Sequence, residues 1–140
     1  MLKIAMLSTG EEVLHGDIVD SNAAWLAREF YQHGFSLAKR ATVGDSLPAL
    51  VEELMMLSFN SDVVIVNGGL GPTSDDITAQ AAAQAAEQPL VLNADWLSQL
   101  EAFFIGRGRA MPESNRKQAM LPANAEVIDN PIGTACGFKM

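Results

Sequence analysis

The sequence predicts an α/β sandwich with a largely parallel sheet and right-handed crossovers between its strands. Two observations carry this. Short apolar stretches, of which Val63-Val64-Ile65-Val66 is the most β-branched, alternate with stretches whose apolar residues recur at helical spacing. Each short stretch then runs into Gly, Ser, Asp or Thr, as a strand does when it enters a loop. No internal repeat, low-complexity tract or linker breaks the alternation. At 140 residues and 49% hydrophobic content, the chain fits one domain spanning residues 1–140.

The elements follow in order. Lys3 to Leu7 is apolar and ends in Ser8-Thr9-Gly10, which gives a first strand and a turn. A helix is expected from Asp20 or Ser21 to about His33, with Leu26 and Phe30 on one face and Gly34 as its stop. Phe35 to Val43 includes Lys39 and Arg40, so it reads as an outer, wetter strand that ends at Gly44-Asp45-Ser46. After a Ser46 cap, Leu47, Leu50, Val51, Leu54 and Met55 recur at helical spacing, with Pro48 harmless in the first turn. Val63 to Val66 is expected to be a central strand covered on both faces. An alanine-rich helix should start near Asp76 and run to Glu87, where small side chains permit close packing, before Pro89 stops it. Asn93 can cap a helix through Trp96, Leu97, Leu100 and Phe104, which Gly106 and Gly108 end. Pro112 opens a short helix reaching Met120, and Val127 and Ile128 form a short strand. Cys136 to Met140 then reads as the start of another strand, so a piece of a longer protein, cut short at its carboxyl end, is expected. Met55, Met56 and Trp96 read as core.

Composition excludes several classes. A formal charge of −8 opposes sustained binding to a nucleic-acid backbone, which needs clustered Lys and Arg. No apolar stretch is long enough to cross a membrane, and Met1 to Leu7 lacks the core and cleavage site of a signal peptide. The single cysteine, Cys136, forms no internal disulfide, and with two histidines it is too scattered for zinc. A cytoplasmic protein is expected, with no nucleic-acid or membrane partner and with a small anionic molecule as its ligand.

In open parallel sheets ligands sit beyond the carboxyl ends of the strands. Ser8 to Gly16, Gly44 to Ser46 and Gly68 to Thr78 should lie there. Within the last of these, Gly68, Gly69 and Gly71 leave no Cβ between backbone N–H groups and a phosphate. Thr73, Ser74 and Asp75 are capping types that would aim the following helix's dipole at the same crevice, although a plain turn with ordinary capping has the same spelling. Among the acids near these loops, Asp45 and Asp76 are the first choices for a magnesium- or manganese-type cation, because both follow strands and hard cations take oxygen ligands. Their loops would lie side by side if the two strands are neighbours. Capping or plain exposure is the alternative for each. Glu12, with Gly10 and Gly16, can form a second wall, while His15 reads as solvated. Asn22 is either a helix-start residue or a ligand contact. Arg107, Arg109, Arg116 and Lys117 either meet a phosphate or form a solvated face. Nothing places a base beside Cys136, so it is no nucleophile.

Together, Thr9-Gly10-Glu11-Glu12, Asp20-Ser21-Asn22, Val43-Gly44-Asp45, Gly68-Gly69-Leu70-Gly71-Pro72-Thr73 with Asp75-Asp76-Ile77-Thr78, Asn115-Arg116-Lys117-Gln118-Ala119 and Asn130-Pro131-Ile132-Gly133 resemble the CinA family, specifically its amino-terminal, molybdenum-cofactor-biosynthesis-like domain. The resemblance covers essentially the whole chain. It implies a three-layer α/β/α sandwich and metal-dependent hydrolysis of ADP-ribose to AMP and ribose 5-phosphate. Related enzymes of that fold adenylylate molybdopterin with aspartates that match Asp45 and Asp76. Thr9, Gly10, Glu12, Asn22, Gly68, Gly69, Leu70, Gly71 and Thr73 are then the expected ligand contacts, with Asp45 and Asp76 as catalytic and metal-holding residues. Binding of a nucleotide or pterin without turnover, or a structural role in a longer protein, is the alternative, and a homo-oligomer is expected. Many relatives carry a nicotinamide-mononucleotide deamidase domain downstream. Two positions depart from the family pattern: Ser46, where Asn or Asp is usual, and Cys136, where Pro or another small residue is.

Overall fold

The structure, a computed structural model, describes residues 1–140, which pack as two compact units, Met1–Gly69 and Leu70–Met140. In the first, strands β1 (Ile4–Thr9), β2 (Leu37–Val43) and β3 (Val63–Asn67) form a parallel sheet in the order β2-β1-β3. Helices α1 (Glu11–Leu14), α2 (Ser21–Gln32) and α3 (Leu47–Asn60) connect them. Every residue of β1 is buried, because it has a hydrogen-bonded neighbour on each side and apolar side chains that leave water.

This order corrects one expectation. The β-branched run of β3 lies at an edge of the hydrogen-bonded sheet, and Val63 is 41% exposed, whereas the less branched Ile4-Ala5-Met6-Leu7 is the central strand. Position between two partners, not branching, decides which strand is covered. The outer position of β2 agrees with its polar spelling.

The loops announced from the helix signals are capped as their residues dictate. Asp20 accepts a hydrogen bond from the Ala23 N–H at 3.0 Å, and Ser46 accepts one from the Ala49 N–H at 3.4 Å. Ser46 thus does at the start of α3 what Asn or Asp would do. Leu50, Val51, Leu54 and Leu57 bury one face of α3, while Met55 and Met56 turn outward, 43% and 49% exposed, and do not join the core. The helical period explains this: a helix lying on a sheet buries only the stripe that faces it.

In the second unit, α4 (Thr78–Ala85) packs on an antiparallel pair, β4 (Leu90–Leu92) and β5 (Met120–Pro122). β4 follows Pro89 directly and has no separate signal in the sequence. Helix α5 (Ala94–Ile105) starts where Asn93 accepts the Trp96 N–H at 2.8 Å. A 3₁₀ segment, Glu113–Ala119, follows Pro112, and β6 (Glu126–Ile128) pairs antiparallel with β7 (Gly137–Lys139). Trp96, Leu100, Ala119, Leu121 and Cys136 form this unit's core, with Phe138 and Val127 packed against it. Burial, aided by the charge of Asp129, pushes the Cys136 thiol up in pKa against a backbone hydrogen bond, which keeps it a protonated core group. No helix is long and apolar enough to cross a membrane.

Candidate functional site

All three strands of the parallel sheet end at one edge, and a glycine follows each: Gly10 after Thr9, Gly44 after Val43 and Gly68 after Asn67. Pairing places Thr9 beside Val43 and Ser8 beside Asn67, so the loops leave in rank. Gly68 has φ 107°, and a Cβ there would stand 2.6 Å from the Thr9 carbonyl oxygen, so only glycine lets the two backbones approach. The Thr9 hydroxyl is buried and has no hydrogen-bond partner in the protein. An orphaned buried hydroxyl at a strand end is a group suited to a ligand.

Other predicted residues gather at this edge. Asn22, in the first turn of α2, donates to the Asn67 side chain at 3.4 Å. Asp20, besides capping α2, accepts from the Ser8 hydroxyl. Glu12 folds back over Gly10, close enough that a Cβ on Gly10 would meet its carboxylate at 2.7 Å. Asp45 is tied to the loop after β1: its N–H donates to Glu11 Oε1 at 2.8 Å, and its carboxylate accepts the Glu11 N–H at 3.4 Å. Glu11 Oε2 also lies 2.8 Å from His15 Nε2, whose ring stays exposed to solvent. Asn67 is a contributor that sequence reasoning passed over, while Glu11 is one of the acids expected near the strand-end loops. The run of Glu11 and Glu12 after a strand-ending glycine signals acid at the site, but not which of the two reaches Asp45.

One expectation about this edge changes. β1 lies between β2 and β3, so the Asp45 loop and the Gly68 loop are not neighbours. They flank the Thr9-Gly10 turn, roughly 10 Å apart at two strand spacings.

Leu70, Gly71, Thr73 and Asp76 belong to the second unit. Here the helix begins at Thr78, two residues later than the capping residues suggest, and Ile77 at its N-cap contributes no side-chain hydrogen bond. Asp76 instead turns back into the loop. Its Oδ2 accepts the Thr73 N–H at 2.9 Å and the Thr73 hydroxyl at 2.7 Å. Partial burial works to raise the Asp76 pKa. The Thr73 hydroxyl, the Thr73 and Gly71 backbone N–H groups and the Lys117 charge outweigh it and hold the carboxyl below its ordinary value.

The 3₁₀ segment fixes this loop from its other side. Lys117 donates to the Thr73 carbonyl, and Gln118 Nε2 donates to the Leu70 carbonyl at 3.3 Å while Gln118 Oε1 accepts from Asn115 Nδ2 at 2.8 Å. Of the basic residues noted in the sequence, Lys117 therefore meets the glycine loop. Arg107 lies 3.6 Å over the Phe103 ring and Arg109 over the Phe104 ring at 5.7 Å, both stacked on α5 residues. Gln118 carried no signal beyond its place in the motif.

No group of three or more His, Cys, Asp or Glu side chains is arranged to hold a metal ion. Magnesium-type cations, however, are commonly held by one or two carboxylates together with substrate phosphates and water.

Residues 5–138 match the family model described as "Probable molybdopterin binding domain". Over 140 residues the chain is 62% identical to a CinA-like protein of Escherichia coli (strain SE11) and to the NMN amidohydrolase-like protein YfaY of Escherichia coli (strain K12). It covers 100% of its own length and 35% of theirs, so it spans about a third of the curated relatives it matches. Among solved structures, CinA of Thermoplasma acidophilum superposes with a TM-score of 0.89 at 31% identity, over 97% of this chain and 79% of that one. The molybdopterin biosynthesis enzyme MoaB of Thermus thermophilus, at 17% identity and a TM-score of 0.55 over 87% of this chain and 79% of that one, shares the α/β sandwich fold.

Proposed function

The chain belongs to the CinA family, with a molybdopterin-binding-type domain along its length, and from that premise we propose that it hydrolyses the diphosphate of ADP-ribose. Water adds to one phosphorus and a P–O bond of the diphosphate breaks, giving AMP and ribose 5-phosphate. The observation that supports this reading is the ranked strand edge, where Gly10, Gly44 and Gly68 follow the three strands and the Thr9 hydroxyl and the Asn22–Asn67 pair stand at the strand ends. Glycines and polar side chains along one strand edge suit an anionic nucleotide better than an apolar ligand. Glu12 and Asp45, tied down by the loop after β1, supply acid at the same edge. Asp45 in the first unit and Asp76 in the second are each proposed as a carboxylate ligand for a divalent cation, which when bound neutralises diphosphate charge and polarises water. Backbone N–H groups of the glycine loop would stabilise charge as it builds on phosphorus oxygens. A cytoplasmic homo-oligomer is part of this reading.

The name of the YfaY relative points to amide hydrolysis on a mononucleotide, a different bond in a related class of ligand. Nucleotide or pterin binding without turnover is the second reading, supported by the family model's description as a probable molybdopterin binding domain.

Incubating the purified protein with ADP-ribose and Mg²⁺ or Mn²⁺, and following AMP by chromatography, tests the first reading. AMP should form, and Asp45→Asn should reduce its rate by about 100-fold or more. No AMP from the unmodified protein sinks the hydrolase. Calorimetric heat with ADP-ribose would then leave the binding module standing.

A further inference from the structure

One side chain of the first unit ties two neighbouring strand ends together. The Gly10 N–H donates to the Val43 carbonyl at 3.0 Å, and past that bond Glu11 carries the connection from the loop after β1 to the loop after β2. Its Oε1 accepts the Asp45 N–H at 2.8 Å. In return the Glu11 N–H, at the start of α1 where backbone donors lack helical partners, reaches the Asp45 carboxylate at 3.4 Å. Each residue supplies a backbone donor and a side-chain acceptor to the other. Glu11 Oε2 faces His15 Nε2, so both oxygens of this carboxylate have partners within the protein.

Gly44 carries the decisive observation. Its φ lies outside the left-handed region, so its backbone conformation does not call for glycine. Yet it is buried, and a Cβ there would overlap Glu11 Oε1 and stand 2.7 Å from Glu11 Cδ and 3.1 Å from Leu14 Cδ2. A glycine with no conformational need for its freedom is a stability cost, because the unfolded chain has more states to lose. The Glu11 carboxylate lying across it accounts for the missing side chain. Gly44 is the seat on which Glu11 rests.

Building on the reading in which Asp45 holds a divalent cation, we propose that Glu11 is the positioning residue of Asp45: seated on Gly44, it clamps the loop after β2 to the loop after β1 and fixes the Asp45 carboxylate without itself touching cation or diphosphate. Groups that orient a metal-binding carboxylate matter to affinity although they make no bond to the metal.

Three variants separate this role from others. Glu11→Ala removes the acceptor and empties the seat. Glu11→Gln keeps an oxygen for the Asp45 N–H and drops the charge that a direct cation ligand would use. Gly44→Ala leaves both acids in the sequence and fills the seat. Mn²⁺ with ADP-ribose is the probe, read by broadening of the Asp45 amide resonance. The Mn²⁺ concentration for half of the effect should rise about tenfold or more in Glu11→Ala and in Gly44→Ala, and by no more than about threefold in Glu11→Gln. Adding Gly44→Ala to Glu11→Ala should move it by less than about twofold, because the seat is already empty. Unmoved amide resonances of β1 report an intact fold in each variant, and Gly44→Ala set against Glu11→Gln decides the matter even if Glu11→Ala does not fold. Damage from Glu11→Gln as large as from Gly44→Ala overturns the proposal and gives Glu11 a direct role through its charge. Gly44→Ala without effect, full additivity of the pair, or an Asp45 resonance that ignores Mn²⁺ in the unmodified protein overturns it as well. AMP formation, scored separately, keeps the two ideas apart: turnover with a Mn²⁺ midpoint that Glu11→Ala does not move removes the clamp and leaves the hydrolase, and the midpoint pattern without AMP does the reverse.

Discussion

Asp76 was legible as an important residue because a carboxylate follows a glycine-rich turn, but its actual partners were not. Sequence reasoning aimed it at a cation or a helix cap. In the loop its carboxylate accepts the Thr73 N–H and hydroxyl. Spacing names the candidates, while the choice between competing acceptors depends on the carbonyl ties from Lys117 and Gln118, 44 and 48 residues away along the chain. The lowered pKa has a consequence for acid stability. A carboxyl held below its unfolded value stabilises the fold fully above the ordinary carboxylate range, and that contribution fades as pH falls through the folded value. Asp76→Asn should therefore be less stable than the unmodified protein at pH 7, with the gap narrowing toward about pH 3. Urea midpoints across that range read it, and a gap independent of pH would show that the carboxylate's charge is not what the loop holds.

At the level of elements, capping residues and helical periods placed α2, α3 and α5 correctly, because Asp20, Ser46 and Asn93 accept the N–H groups they were expected to accept. Local signals fell short where a partner decides the outcome. β4 is three residues long and exists through its pairing with β5, and the rank of β3 in the sheet depends on where β1 is inserted. The contact of Gly68 with Thr9 is likewise invisible in sequence, although the glycine itself is not. Gly68→Ala combines a positive φ with a backbone clash, and should cost about 1–3 kcal/mol in chemical denaturation. A neutral effect would mean that the strand ends separate easily, and the close approach at the candidate site would lose its significance.

For the molecule as a whole, the alternation of strand and helix announced the fold class, and the family comparison agrees with it. Periodicity could not reveal that the apolar residues gather into two units, because it records which face of an element is apolar and not which elements share a core. Within the first unit, protection against hydrogen exchange should be greatest at the amides of β1, buried throughout and paired on both sides. Mass spectrometry or NMR exchange that finds β1 no slower than the sheet-edge strand β2 would contradict the sheet order. The central place of β1 also bears on how the protein is made. This buried strand leaves the ribosome before either of its partners, and its second partner, β3, is not complete until Asn67. At about 5–20 residues per second this strand waits several seconds with an unpaired edge on the nascent chain. During translation it is thus an opening for chaperones, or for strands of neighbouring polypeptides, that the finished sheet closes.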